Sequence, residues 1–205
     1  MESRVFILSP AYAGGQRARL IMSERAEFDL AQRLRTGGAT IGEVFTFLSG
    51  LYFRGKIAYA KAFARPASGM GGALVITPTR GLIDAETLIT LDDLREFAEV
   101  DIDAEDPRYR KPLERDARRL ARRLSPDSEV VLLGSVATGK YVDVLLTNFK
   151  ERLRFPGDFV GRGDMSRGGL MLRCAVDGQE LPYISVAGAV RSGKRPPKLT
   201  PRRYV

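Results

Sequence analysis

Between Gly157 and Gly169 the chain places five glycines, Arg162, Arg167, Asp158, Asp164 and Ser166 within thirteen residues. Glycine lets a backbone approach a ligand closely or adopt positive φ, arginine grips phosphate with two N–H groups at once, and an aspartate can accept a proton. Asp164 and Ser166 are therefore the candidate catalytic groups of this loop, and Arg162 and Arg167 its candidate binders. The alternative is a glycine-rich bend in which Asp164 and Ser166 are local caps. A second stretch, Gly134-Ser-Val-Ala-Thr-Gly-Lys140, satisfies the Gly-x-x-x-x-Gly-Lys phosphate-loop pattern and lies between an apolar run and a helical one. The next residue is Tyr141, where magnesium ligation calls for Ser or Thr, and no convincing apolar strand ends in an aspartate that would hold the ion from outside. The pattern speaks against nucleoside triphosphate hydrolysis and for an anion site built from Gly134, Ser135, Gly139 and Lys140. Tyr141 could stack there on a base.

The composition removes whole classes of chemistry. The chain has no histidine and one cysteine, Cys174, which excludes Ser-His-Asp and Cys-His catalysis, imidazole ligation, an intrachain disulfide and a cysteine-rich metal site. Carboxylates, hydroxyls, lysines and arginines remain. No cofactor and no metal site are expected, and any metal would be a hard ion held by oxygen. The net charge of +8 and pI near 9.9 favour an anionic partner. From Glu151 to Val205 there are eleven basic residues against five acidic ones. Six of the eleven, Arg191, Lys194, Arg195, Lys198, Arg202 and Arg203, fall in the last fifteen residues with no acid among them. Pro196, Pro197 and Pro201 predict an extended arm here, either clamping nucleic acid or solvated.

Positioning these groups falls to the apolar elements. Arg4 to Leu8, Gly71 to Thr77 and Glu129 to Leu133 read as buried strands, each followed by a loop. Helices are predicted over about Gly15 to Arg35, Ile41 to Ala64 with breaks at Gly50 and Gly55, and Lys140 to Phe149. Pro78 to Asp84 reads as a loop. An acidic segment, Asp92 to Asp106, precedes a helix whose Arg115, Arg118, Arg119, Arg122 and Arg123 lie outside an apolar stripe; mutual pairing of the two segments is the expectation, an arginine face for nucleic acid the alternative. Leu170 to Val176 and Glu180 to Val186 around Asp177-Gly178 read as a hairpin. The predicted fold is a single α/β domain over residues 1–190, a mostly parallel Rossmann-like sheet with flanking helices and a C-terminal β-hairpin, followed by the arm at 191–205. In such sheets ligands sit at the carboxyl ends of the strands. That rule gathers Ser9, Arg80, Ser135, Lys140 and Asp164 into one predicted concavity, with Tyr12, Arg17, Thr77 and Thr79 as further candidates. No run approaches the roughly 20 apolar residues that span a bilayer, and the start lacks a signal-peptide core, so a cytoplasmic protein with no membrane partner is expected.

Ser49-Gly-Leu-Tyr-Phe-Arg-Gly-Lys-Ile-Ala-Tyr-Ala-Lys61, Val75-Ile-Thr-Pro-Thr-Arg-Gly-Leu-Ile-Asp84, Gly139-Lys-Tyr141, Phe155-Pro-Gly157 and Val160-Gly-Arg-Gly163 together resemble an uncharacterised bacterial α/β domain family distantly akin to the YaaA-type peroxide-stress proteins. The resemblance spans about Ser49 to Gly169. It implies a base-, nucleotide- or nucleic-acid-related role and makes the Gly134 loop an open strand-to-helix turn in which Tyr141 fits the family pattern. Where that pattern commonly has Ser-Ala this chain has Thr77-Pro78, so no role passes to Thr77, and no catalytic residue is carried over. The expected function is that of a nucleic-acid-associated protein acting on a base or nucleotide, with DNA, RNA or a nucleotide-like ligand as partner. A non-catalytic nucleic-acid-binding module and a metabolic enzyme for a small phosphorylated ligand are the alternatives.

Overall fold

The apolar runs at residues 5–8 and 130–133 have no polar face, so both must pair inside a sheet that is covered on both sides. In the computed structural model, which describes residues 3–200, they do so as its two central strands. In chain order the elements are β1 (Arg4–Leu8), α1 (Gln16–Met22), α2 (Asp29–Thr36), β2 (Ala39–Thr40), α3 (Ile41–Ser49), α4 (Leu51–Phe63), β3 (Ala73–Thr77), β4 (Gly81–Asp84), β5 (Leu88–Ile89), α5 (Leu91–Ala98), α6 (Pro107–Arg123), β6 (Glu129–Leu133), α7 (Gly139–Phe149), β7 (Leu153–Pro156), α8 (Asp164–Asp177) and β8 (Tyr183–Ser185). A six-stranded sheet runs β4-β3-β1-β6-β7-β8, with β3, β1, β6 and β7 parallel and the two edge strands antiparallel to their neighbours. Leu8 is level with Val75 on one side and Leu133 on the other, so these three strands end at one edge. β2 and β5 form a separate antiparallel pair.

Strand alternation sorts the core into two layers. Phe6 and Leu8 pack with Phe45, Phe53, Tyr59 and Met171, drawn from α3, α4 and α8. Val5 and Ile7 pack on the other face with Tyr109 and Leu113 of α6 and Val142 and Leu145 of α7. Two glycines set the closest helix contact. A Cβ on Gly55 would stand 2.5 Å from the Gly168 carbonyl oxygen, and one on Gly168 would stand 2.6 Å from that of Leu51. With no side chains between them, α4 and α8 touch backbone to backbone, which brings the start of α8 against the first turn of α4. Among the described residues no helix is long and apolar enough to cross a membrane.

Several elements differ from the sequence-based expectation. Leu170 to Val176 belongs to α8 and is not a strand, so the expected hairpin is absent among the described residues; β8 pairs with β7 instead. The Asp-Gly signal is real but ends a helix: Gly178 has φ 64°, and its N–H donates to the Cys174 carbonyl. Gly15 to Arg35 forms two helices, because Ser23 leaves the first in an extended conformation and Phe28 turns to stack on Phe47 at 5.2 Å between ring centres. Residues 81–84 form the edge strand β4, which Gly81 (φ 68°) allows by reversing the chain directly after β3. The acidic and basic segments mostly do not pair with each other. Asp93 and Glu96 hold Arg80, Asp92 holds Arg95, and α6 pairs internally through Arg110–Glu114 and Arg115–Asp116. Asp106–Arg108 is the ion pair that joins the two segments among the described residues.

Candidate functional site

Ser9 is the first residue beyond β1, and its N–H donates to the Leu133 carbonyl at 3.1 Å, tying it to the end of β6. Gly134 beside it has to be glycine, since a Cβ there would lie 2.7 Å from the Ser9 Cβ. Under Ser9 runs α4, whose inward stripe is Tyr52, Phe53, Lys56, Tyr59 and Ala60. Lys56 is thus a lysine at an apolar position, and only 1% of it is exposed. Its Nζ donates to the Ser9 carbonyl at 2.9 Å and meets the Ser9 Oγ at 2.7 Å. The same nitrogen sits 4.0 Å from the centre of the Tyr52 ring and 5.1 Å from that of Phe53. Burial pushes the Lys56 ammonium down to about 7; Asp164 opposes the shift and Arg167 adds to it. On the far side of Ser9 lies Tyr141, buried in the first turn of α7. Its hydroxyl donates to the Ser135 carbonyl at 2.9 Å, and it flanks Gly134 together with the Ser9 hydroxyl: a Cβ on Gly134 would lie 2.9 Å from Ser9 Oγ and 3.0 Å from the Tyr141 oxygen.

Ser9, Tyr52, Ser135 and Tyr141 form the less exposed wall of a cavity of about 790 Å³ at this strand edge. Its exposed lining includes Tyr12, which is 70% exposed, together with Asp101, Asp103, Lys140 and Asp164. Lys56 is not part of the wall; Ser9 stands at the cavity with Lys56 behind it. Thr138 makes no side-chain cap bond at the start of α7, so the first amides of that helix have no side-chain partner among the described residues and lie open beside Lys140. Asp143 lies against Gly139, and Arg191 faces it at 3.9 Å.

Of the residues expected to converge, Ser9, Ser135, Lys140, Tyr141 and Asp164 line the cavity, with Gly134 and Gly139 in the backbone of the adjoining turn. Arg80 does not belong to it, being held by Asp93 at 2.5 Å and Glu96 at 2.8 Å. Arg167 is buried and donates to the Phe159 carbonyl at 3.2 and 3.1 Å, while its Nη1 lies 3.5 Å from Asp164. Ser166 sits in α8, where its hydroxyl accepts from Arg162 at 3.3 Å and does not line the cavity. Thr77 and Thr79 hold the β3–β4 turn through Gly81 and Glu96, and Arg17 donates to the Phe47 carbonyl, so these three serve local structure. Lys56 falls inside the Ser49 to Lys61 stretch that carries the family resemblance, yet it is not among the candidate site residues. Its signal is a lysine in the inward stripe between Tyr52, Phe53 and Tyr59, where a solvated lysine does not belong.

The basic arm carries no helix or strand over residues 191–200, yet it is docked. From Arg191 at Asp143 it passes Gly161, against which the Lys194 carbonyl rests, then reaches Arg162, which donates to the Pro197 carbonyl at 3.5 Å, and Arg173, which donates to that of Thr200 at 2.6 Å. After the Arg191 side chain, backbone carbonyls make these attachments, and Lys194, Arg195 and Lys198 stay exposed. Arg202 and Arg203 lie outside the described residues. No family model, curated protein or solved structure matches this chain.

Proposed function

We propose that this chain is a nucleic-acid-associated protein whose strand-edge cavity receives a base or nucleotide. The observation that carries the reading is the path of the basic arm: it leaves Asp143 of α7, passes the start of α8 and continues along that helix to Arg173, and these two helices supply Lys140 and Asp164 to the cavity. Lys194, Arg195 and Lys198 would neutralise backbone phosphates there, and Lys140 with the open amides of α7 would hold the phosphate of the nucleotide inside. A cavity of about 790 Å³ is in the range of small-ligand sites, and the exposed ring of Tyr12 offers a stacking surface. The carboxylates of Asp101, Asp103 and Asp164 can accept hydrogen bonds from exocyclic amines or ribose hydroxyls. A Rossmann-like relationship is part of this proposal; its support is that β3 and β6 flank β1 on opposite sides, where such sheets bind ligands.

The test is binding of a fluorescent single-stranded oligonucleotide at several salt concentrations. For K194A/R195A/K198A the slope of log affinity against log salt should flatten by about 0.7 for each phosphate that the arm no longer neutralises, and K140A should abolish stabilisation by nucleoside monophosphates in a thermal-shift assay. Identical slopes for wild type and the triple variant would refute the arm's role. A cavity that responds to monophosphates without any oligonucleotide binding would favour the metabolic enzyme instead.

A further inference from the structure

We propose that Ser9 is a covalent nucleophile, activated by Lys56 behind it, and that the cavity cleaves an ester or amide borne by an anionic ligand. The bond class deepens the nucleotide reading, and that reading supplies only the anionic part of the substrate, seated near Lys140.

The order of groups carries the argument. Ser9 Oγ lies 2.7 Å from Lys56 Nζ and shares the space against Gly134 with the Tyr141 hydroxyl, and Ser9 itself lines the cavity. Lys56 does not reach the cavity wall, so a ligand meets the hydroxyl and not the amine. Tyr141 has committed its own proton to the Ser135 carbonyl, so toward Ser9 it can only accept. The serine proton therefore has two destinations: Tyr141 while Lys56 is an ammonium, and Lys56 once that amine is neutral. Burial among Tyr52, Phe53 and the strand end brings the neutral amine within reach near pH 7. A hydroxyl beside a neutral amine in a water-poor pocket is the Ser–Lys form of nucleophile activation.

The chemistry balances without further reagents than water. Ser9 Oγ bonds to the carbonyl carbon as its proton passes to Lys56 Nζ. When the tetrahedral adduct collapses, the C–O or C–N bond breaks and the departing oxygen or nitrogen takes a proton from a water molecule in the cavity, leaving hydroxide. That hydroxide attacks the acyl-serine, and as the acid is released Lys56 returns its proton to Ser9 Oγ, restoring the hydroxyl.

An alkyl fluorophosphonate tests this on the full chain, read by intact mass and peptide mapping. Folded wild type should take up one adduct on Ser9, with a rate that rises with pH and levels off above about pH 7, while urea-unfolded protein and S9A should not react there. K56M should lower the rate by about 10²–10⁴-fold, the usual worth of a general base. The pH profile of wild type provides the same information should K56M fail to fold. An unmodified Ser9 in folded wild type, a pH-independent labelling rate, or K56M labelling at the wild-type rate would overturn the proposal. If Ser9 labels as expected but nucleoside monophosphates give no protection, the nucleophile stands and the nucleotide reading fails.

Discussion

Replacing Lys56 by methionine keeps the volume of the side chain and removes its proton, which makes the electrostatic state of this residue measurable through stability alone. In the unfolded chain the amine holds its proton up to an ordinary value of 10.5, whereas in the folded protein it loses it near 7. Between those limits the unfolded state binds the additional proton, so this residue makes the unfolding free energy rise with pH. The slope approaches about 1.4 kcal/mol per pH unit. Tyr59, pushed by burial up to about 12, adds a slope of opposite sign above pH 10, so the clean interval is pH 7.5 to 9. Over it the stability of wild type minus that of K56M should increase by about 2 kcal/mol. With a urea dependence near 2 kcal/mol per molar, the wild-type midpoint should gain roughly 1 M on the variant. The hydrogen bonds to Ser9 that K56M cannot make add a constant offset and leave the slope alone. Urea melts followed by circular dichroism at four pH values are sufficient. If the two midpoints run parallel with pH, Lys56 remains an ammonium in its pocket, and the case for a neutral base behind Ser9 collapses.

Asp164 is 66% exposed and touches Arg167 at 3.5 Å, so D164N should cost under about 1 kcal/mol while changing nucleotide-dependent thermal shifts; a variant that melts far below wild type but binds normally would make Asp164 a helix cap. G55A must push α8 away from α4, because its Cβ would meet the Gly168 carbonyl oxygen at 2.5 Å, and should lose about 1–3 kcal/mol in urea melts; an unchanged midpoint would mean the two helices separate freely. The Tyr109 hydroxyl is buried with no hydrogen-bond partner among the described residues, so Y109F should match or exceed wild type in stability by about 1 kcal/mol. A clear drop in the stability of Y109F would show that the hydroxyl is hydrogen-bonded after all.

What the sequence determined by itself is where the sheet runs and which loops gather at its edge. β1 and β6 are apolar on both faces because both faces are covered, and such runs have one sensible place in an α/β protein. The turn from Gly134 to Lys140 could be placed for the same reason, since a strand and a helix bound it. Asp177-Gly178 could not be resolved locally: a left-handed glycine serves a hairpin and a helix end equally, and the choice fell to α8 packing on α4 through Gly55 and Gly168. Arg80 and Lys56 show the same limit from opposite directions. Arg80 sits on a strand-edge loop yet is claimed by Asp93 and Glu96, sixteen residues or fewer down the chain, a competition that only folded distances decide. Lys56 lies in the Ser49 to Lys61 stretch, which assigns it no role, and its distance of 47 residues from Ser9 gives no hint of contact. Its character is set by the water it loses when α4 closes beneath β1, and desolvation is a property of the assembled core that no local pattern encodes.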